Sequence, residues 1–287
     1  MTTMADAEGQ TQPAPPARKA GRNLPAAIGV AVALGAAVVV SLFVLRWAFV
    51  GLAIVMIGAA IFELSRALSR EHVAVPPIPL ALGAAAVLAT TYVGGTETLV
   101  VATLLLAVAG VIWSTVADGA DKLGSAAAAI FACCYVAFLA GFAVLLAIPD
   151  DGPRRVVALV ATVACSDTGG YAVGVFFGKH PMSPTVSPKK SWEGFAGSVT
   201  ACALCGGLLF TLMLHATWWQ GVVFGLAVVV AATLGDLSES LIKRHLGIKD
   251  MGHLLPGHGG VLDRIDALLL AAPAAWALLT VFVPCPH

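Results

Sequence analysis

Charge is scarce in this chain: 16 basic and 16 acidic residues in 287, or 11%, against 59% hydrophobic. Soluble domains devote about a quarter of their residues to Asp, Glu, Lys and Arg, so a water-exposed globule is excluded. The class left is an all-α polytopic integral membrane protein. An excess of either sign is also missing, and the formal net charge is zero. That balance identifies no partner, because the charges are segregated along the chain. Cysteine is sparse, and Cys202 and Cys205 have CxxC spacing without a second Cys/His pair, so they read as buried structural thiols and not as a zinc or redox site. Strict apolar/polar alternation is absent, which argues against a β-barrel. No repeat of fixed period occurs.

What the sequence has instead is long apolar runs. A helix of about 20 such residues crosses a hydrocarbon core of about 30 Å. About nine runs qualify, at 25–44, 47–64, 75–93, 97–116, 123–148, 156–177, 194–215, 219–241 and 262–283. The first is too long to be simply a cleaved signal and is expected to be retained. Residues 1–23, rich in Thr, Gln, Pro and Ala, read as a disordered cytoplasmic tail. Residues 24–159 form the N-terminal transmembrane helices, and 160–287 a second region with cytoplasmic loops at 178–193 and 242–261. Basic residues concentrate on cytoplasmic loops. With the N-terminus cytoplasmic, thirteen of the sixteen Lys and Arg fall inside and only Arg46, Arg154 and Arg155 outside. Asp150 and Asp151 are placed to neutralise that outer Arg pair.

The polar residues gather in the C-terminal half. Asp167 lies about ten residues, about 15 Å of helix, inside its span, and an acid at that depth needs a partner, face or ion. The bland reading is a packing hydrogen bond involving Ser166 or Thr168. Ser187, Lys189 and Lys190 then form a Pro-stiffened basic turn just before a helix N-terminus, a suitable anion cradle, although a basic loop beside a membrane also serves as a topology signal or lipid contact. Trp192 reads as an interfacial anchor and Glu193 as a cap for the following helix.

Asp236 and Glu239 are three apart, as are Asp263 and Asp266, so each pair projects from one helical face. Oxygen-only ligands on two facing helices suit a hard cation such as Mg²⁺. The alternative is that Lys243, Arg244 and Arg264 neutralise them in ordinary ion pairs. Pro256–Gly260 is the sharpest turn, and His258 within it is placed to contact phosphate or base, unless it is merely structural. Lys249 and Asp250 read as a local pair.

From Ser240 to Asp266 the chain carries Ser240, Ile242, Lys243-Arg244, Lys249-Asp250, Gly252, Leu255-Pro256, His258-Gly259-Gly260, Asp263-Arg264 and Asp266. This pattern resembles the signature of the phosphatidate cytidylyltransferases, or CDP-diacylglycerol synthases. Asp167-Thr168-Gly169, Tyr171, Gly178-Lys179, Ser187 to Lys190 and Trp192-Glu193-Gly194 are similar to the family's other shared segment. The resemblance is strong over 160–270 and rests on helix count before that.

The resemblance implies transfer of CMP from CTP to phosphatidic acid, giving CDP-diacylglycerol and pyrophosphate in phospholipid biosynthesis. It implies Mg²⁺, with a second cation such as K⁺ left open, held by Asp167, Asp236, Asp263 and Asp266. Asp263, Asp266, Lys243, Arg264 and His258 are the expected catalytic set. Ser187, Lys189, Lys190, Ser240, Arg244, Gly259 and Gly260 are expected to bind substrate. Expected partners are CTP, phosphatidic acid and membrane lipid, not nucleic acid, with a homodimer left open. The expected location is the cell membrane, with the site facing the cytoplasm. Two alternatives remain at this point: a CTP-dependent enzyme acting on another lipid, including a lipid kinase, and an ion carrier using the intramembrane acids.

Overall fold

A computed structural model describes residues 24–71, 73, 75–116, 121–252, 254 and 259–284. The tail expected over 1–23, and His258, lie outside these residues. In lipid every backbone N–H and C=O must find an internal partner, so apolar runs become helices. The order is α1 (Leu24–Val44), α2 (Arg46–Leu68), α3 (Pro77–Val116), α4 (Lys122–Ala132), a π-helical turn (Cys133–Phe138), α5 (Leu139–Ala147), α6 (Gly152–Phe177), β1 (Pro181–Ser183), β2 (Ser187–Ser191), α7 (Trp192–Leu212), α8 (Trp218–His245) and α9 (Leu262–Phe282). The fold is all-α apart from the β1–β2 hairpin, an antiparallel pair that joins α6 to α7.

Among the described residues seven helices are long and apolar enough to cross a membrane, α3 counted once among them, and α1 adds the shorter apolar stretch Gly35–Val44. The chain is therefore a multi-pass membrane protein. α3 is two helices folded back on each other. Gly95 has φ 69° and ψ −149°, a conformation that glycine alone adopts readily. Residues 83 and 106 would lie about 35 Å apart on a straight helix, yet the Leu106 side chain covers the face of Gly83, with Cδ1 2.1 Å from where a Cβ would project. The runs read at 75–93 and 97–116 are its two arms.

Local chemistry sets the helix starts that matter for the site. Ser191 caps α7, its Oγ accepting from Gly194 N at 3.1 Å, so the capping role expected of Glu193 belongs to Ser191. Glu193 instead reaches back, accepting from Lys179 N at 3.1 Å and His180 N at 3.2 Å. That contact ties the hairpin entrance to α7. Thr217 and Gln220 form a reciprocal capping box at the start of α8.

Two buried apolar clusters hold the bundle. One joins α2, the first arm of α3 and the π-helical turn to Leu262 and Leu269 of α9. The other joins α5–α9 around Phe210, Phe224 and Leu279. At the end opposite the hairpin, Arg155 Nε pairs with Asp151 at 2.7 Å, and Arg46 lies 3.6 Å from Asp150. The Arg pair that stood against the charge asymmetry is thus partly neutralised by its neighbours.

Candidate functional site

Three helices and the hairpin bring the polar residues together. α8 and α9 meet backbone to backbone at Gly235, where a Cβ would fall 2.5 Å from Asp266 O and 3.0 Å from the Ala267 Cα. Small residues permit such approach between membrane helices, and here it sets Asp236 and Glu239 beside Asp263 and Asp266. Gly169 of α6 packs as closely on Gly197 and Ala201 of α7, which holds Asp167 on the same side of the bundle.

The acids do not share one environment. Asp236 forms an ion pair with Lys190 of β2. Lys243 lies between Glu239 Oε2 at 2.5 Å and Asp263 Oδ1 at 2.8 Å. Asp263 Oδ2 accepts from Met251 N at 2.9 Å and Gly260 N at 2.8 Å, so this carboxylate fastens the glycine-rich loop to α9. Gly259, at φ 86°, completes that turn. Asp266 is 7% exposed and faces the carboxyl of Glu239. Neither Asp167 nor Asp266 has an ion pair among the described residues, whereas Glu239 and Asp263 share a cation. The ion-pair reading therefore applies to Asp236, Glu239 and Asp263.

Three cavities adjoin in series. The first, about 350 Å³, is lined by Ser187, Lys189, Lys190, Tyr171, Asp167 and Asp236, among others. The second, about 370 Å³, shares Asp167 and Asp236 with the first and adds Asp263, Arg264 and Asp266. The third, about 310 Å³, is apolar and shares Val160, Arg264 and Leu268 with the second.

Eight of the residues expected at the site thus line the first two cavities: Asp167, Ser187, Lys189, Lys190, Asp236, Asp263, Arg264 and Asp266. Others expected to touch substrate stand behind that wall. Lys243 is committed to two carboxylates. Arg244 donates from Nε to Val186 O at 3.2 Å and so ties α8 to the hairpin. Gly259 and Gly260 buttress Asp263, and Ser240 lines none of the three cavities. The expected Lys249–Asp250 ion pair is not formed among the described residues. Cys202 donates to Thr162 O at 3.3 Å across the α6–α7 contact, the structural role expected of it.

One residue escaped the sequence reading. Glu63 of α2 is 4% exposed. Its Oε2 accepts from Leu262 N at 2.9 Å at the start of α9, while its Oε1 has no hydrogen-bond partner. Gly252 and Gly260 both pack on this carboxyl group, which a Cβ on either would strike at 2.2 Å and 2.5 Å. The only signal was one acid in an otherwise apolar stretch of α2. Its partner, Leu262 N, lies 199 residues along the chain, and no local pattern marks that pairing.

A model of the Cytidylyltransferase family matches residues 25–282. The chain is 40% identical over 278 residues to the phosphatidate cytidylyltransferase of Mycobacterium leprae (strain TN), covering 91% of this chain and 89% of that protein. It is 39% identical over 282 residues to the phosphatidate cytidylyltransferase of Mycobacterium bovis (strain ATCC BAA-935 / AF2122/97), covering 94% and 92%. A protein of the same name from Helicobacter pylori (strain ATCC 700392 / 26695) matches at 38% over 138 residues, 48% of this chain.

Proposed function

The chain belongs to the cytidylyltransferase family, and from that premise we propose how its residues carry out the transfer of CMP from CTP to phosphatidate. It is a membrane nucleotidyltransferase of phospholipid biosynthesis, a phosphatidate cytidylyltransferase. A phosphate oxygen of phosphatidate forms a bond to the α-phosphorus of CTP. The bond from that phosphorus to the bridging oxygen of the β-phosphate breaks, and pyrophosphate leaves with the electron pair. A phosphate monoester has its second pKa near 6, so the nucleophile is already anionic at neutral pH and no strong general base is needed.

The observation that carries this reading is the adjoining pair of cavities, one edged by two lysines, the other by carboxylates and Arg264, with Asp167 and Asp236 as their common wall. Lys189 is exposed at the mouth of the first and has no ion pair among the described residues, which leaves it to the triphosphate. Lys190, paired with Asp236, sets the boundary between the nucleotide and the reacting phosphorus. Arg264, at the opening toward the apolar cavity, receives the phosphate of the lipid. Lys243, Glu63 and the Gly259–Gly260 turn are positioning groups that hold Asp263 and the start of α9. The basic residues on the hairpin and at the end of α8 support a site at the cytoplasmic face of the cell membrane, with the N-terminus on the same side.

Mg²⁺ fits the donor set in kind. The acids offer oxygen only, and Glu239 Oε1 is buried without a partner. Among the described residues no three metal-binding side chains group closely enough to enclose an ion alone, which suits a cation held by one or two carboxylates with water and substrate phosphates. Asp236 and Asp266 would hold it, with Asp167 beside them in the cavity wall, and K⁺ is the proposed second cation. When bound, it supplies charge neutralisation at the transferring phosphoryl group.

The test is product stoichiometry. Purified protein given radiolabelled CTP, phosphatidate and Mg²⁺ is expected to put label into lipid with equal release of pyrophosphate, and EDTA to abolish both. CDP in place of pyrophosphate would refute cytidylyl transfer and point to a lipid kinase.

A further inference from the structure

The apolar cavity is not accounted for by the transfer chemistry. It lies among α1, α2, α5, α6 and α9, and its walls include Val38, Phe49, Ala53, Ala143, Leu159 and Leu268. Among the described residues Arg264 is its only charged lining residue, and it stands at the border with the acidic cavity, where it also forms part of the wall. At about 310 Å³ it falls at the lower end of the range for small-molecule sites, about 300–1,000 Å³.

We propose that this cavity is an acyl-chain site, in which one hydrocarbon tail of the phosphatidate lies between α2, α5 and α9 while Arg264 holds its phosphate against the acidic cavity. Three features select this occupant. Among the described residues the lining carries no hydrogen-bonding side chain other than Arg264, so a nucleotide or polar headgroup would be desolvated without compensation there. The shared residues Val160, Arg264 and Leu268 make it continuous with the reacting centre, whereas bulk lipid on an outer helix face needs no such continuity. The guanidinium sits at the polar edge of an apolar chamber, the arrangement an amphiphile with an anionic head requires.

The inference rests on the phosphatidate reading, and the test keeps the two separable. Ala53 and Ala143 face the cavity from different helices and belong to no part of the phosphate machinery. Full-length Ala53→Leu and Ala143→Leu proteins are assayed in mixed micelles with dioleoyl and dihexanoyl phosphatidate. Displacing about two methylenes of a buried chain raises KM for the dioleoyl substrate about tenfold. KM for CTP and turnover of the dihexanoyl substrate, too short to fill the chamber, stay within about twofold of the unsubstituted protein. Unchanged kinetics on both lipids would overturn the proposal and leave the cavity to bulk lipid. An equal loss on both lipids in both variants would overturn it too, because chain length would then be irrelevant. If the unsubstituted protein turned over neither lipid, the phosphatidate reading would fail first and this inference with it.

Discussion

Lys243 decides between two views of the motif that surrounds it. Its ammonium sits 2.5 Å from Glu239 and 2.8 Å from Asp263, and the two acid side chains are 1% and 4% exposed. In Lys243→Met both carboxylates lose their cation inside the bundle. Breaking a buried pair by removing one partner costs about 3–5 kcal/mol, equivalent to a fall of about 6–10 °C in the unfolding midpoint of a chain this size. Substituting Glu239→Gln in the same protein removes one of the stranded charges, so the double variant is expected to recover about half of that fall. The assay is thermal unfolding of purified protein in detergent, followed beside CTP saturation curves. If Lys243 instead grips a substrate phosphate, Lys243→Met keeps its midpoint and raises KM for CTP, and Glu239→Gln rescues nothing. That result would refute the internal-counterion assignment.

Asp266→Asn is expected to lower kcat by at least about a hundredfold while the protein remains folded and membrane-inserted by detergent size-exclusion; retained turnover would remove Asp266 from the ion site. Lys189→Ala, at an exposed position on the hairpin, is expected to raise KM for CTP by about tenfold with little change in midpoint, since a charge-assisted hydrogen bond contributes about 1.5–3 kcal/mol. Gly235→Ala drives a methyl against Asp266 O, and a shift of about 1 Å at the reacting groups costs about a hundredfold in rate; a fully active variant would show that α8 and α9 need not approach so closely. Gly260→Ala presses on the Glu63 and Asp263 carboxylates together, and is expected to lower both kcat and the unfolding free energy, the latter by about 1–3 kcal/mol.

The runs of apolar residues made the helices legible, because a membrane leaves the chain few other ways to satisfy its backbone. Even the fold of α3 had a sequence mark, the Gly94-Gly95 pair between two runs. The three-residue spacing of Asp236 with Glu239, and of Asp263 with Asp266, placed four acids on two facing helical surfaces before any coordinates. What the spacing could not say is which acids would be spent on protein contacts. Asp263 divides its oxygens among Lys243, Met251 and Gly260, and Asp236 meets Lys190 from a hairpin about fifty residues earlier in the chain. Such pairings depend on how helices dock, and docking is decided by distant small residues. Glu63 illustrates the limit: local pattern marks it as a misplaced acid in α2, while its use, holding the start of α9, exists only in the assembled bundle.

The order of the cavities follows from that docking. The hairpin carries Lys189 and Lys190, and Ser191 and Glu193 fasten it to the start of α7, so these two cations approach the acids from the water side. The close α8–α9 contact at Gly235 puts the carboxylates one layer deeper. One helical residue beyond Asp263, Arg264 turns away from Lys243 and toward the apolar walls contributed by α2 and α6. Asp263, Arg264 and Asp266, on one α9 turn, thus face the loop, the apolar chamber and the acidic cavity, which is possible because successive residues on a helix point about 100° apart. A substrate that is anionic at one end and hydrocarbon at the other can be held across that turn without either end entering the wrong medium. A soluble phosphate, lacking the tail, would engage only Arg264 and a cation held by the acids beside it. With the proposed acyl-chain site, selectivity for a lipid phosphate over a soluble one would reside in the apolar chamber more than in the charged residues of the motif.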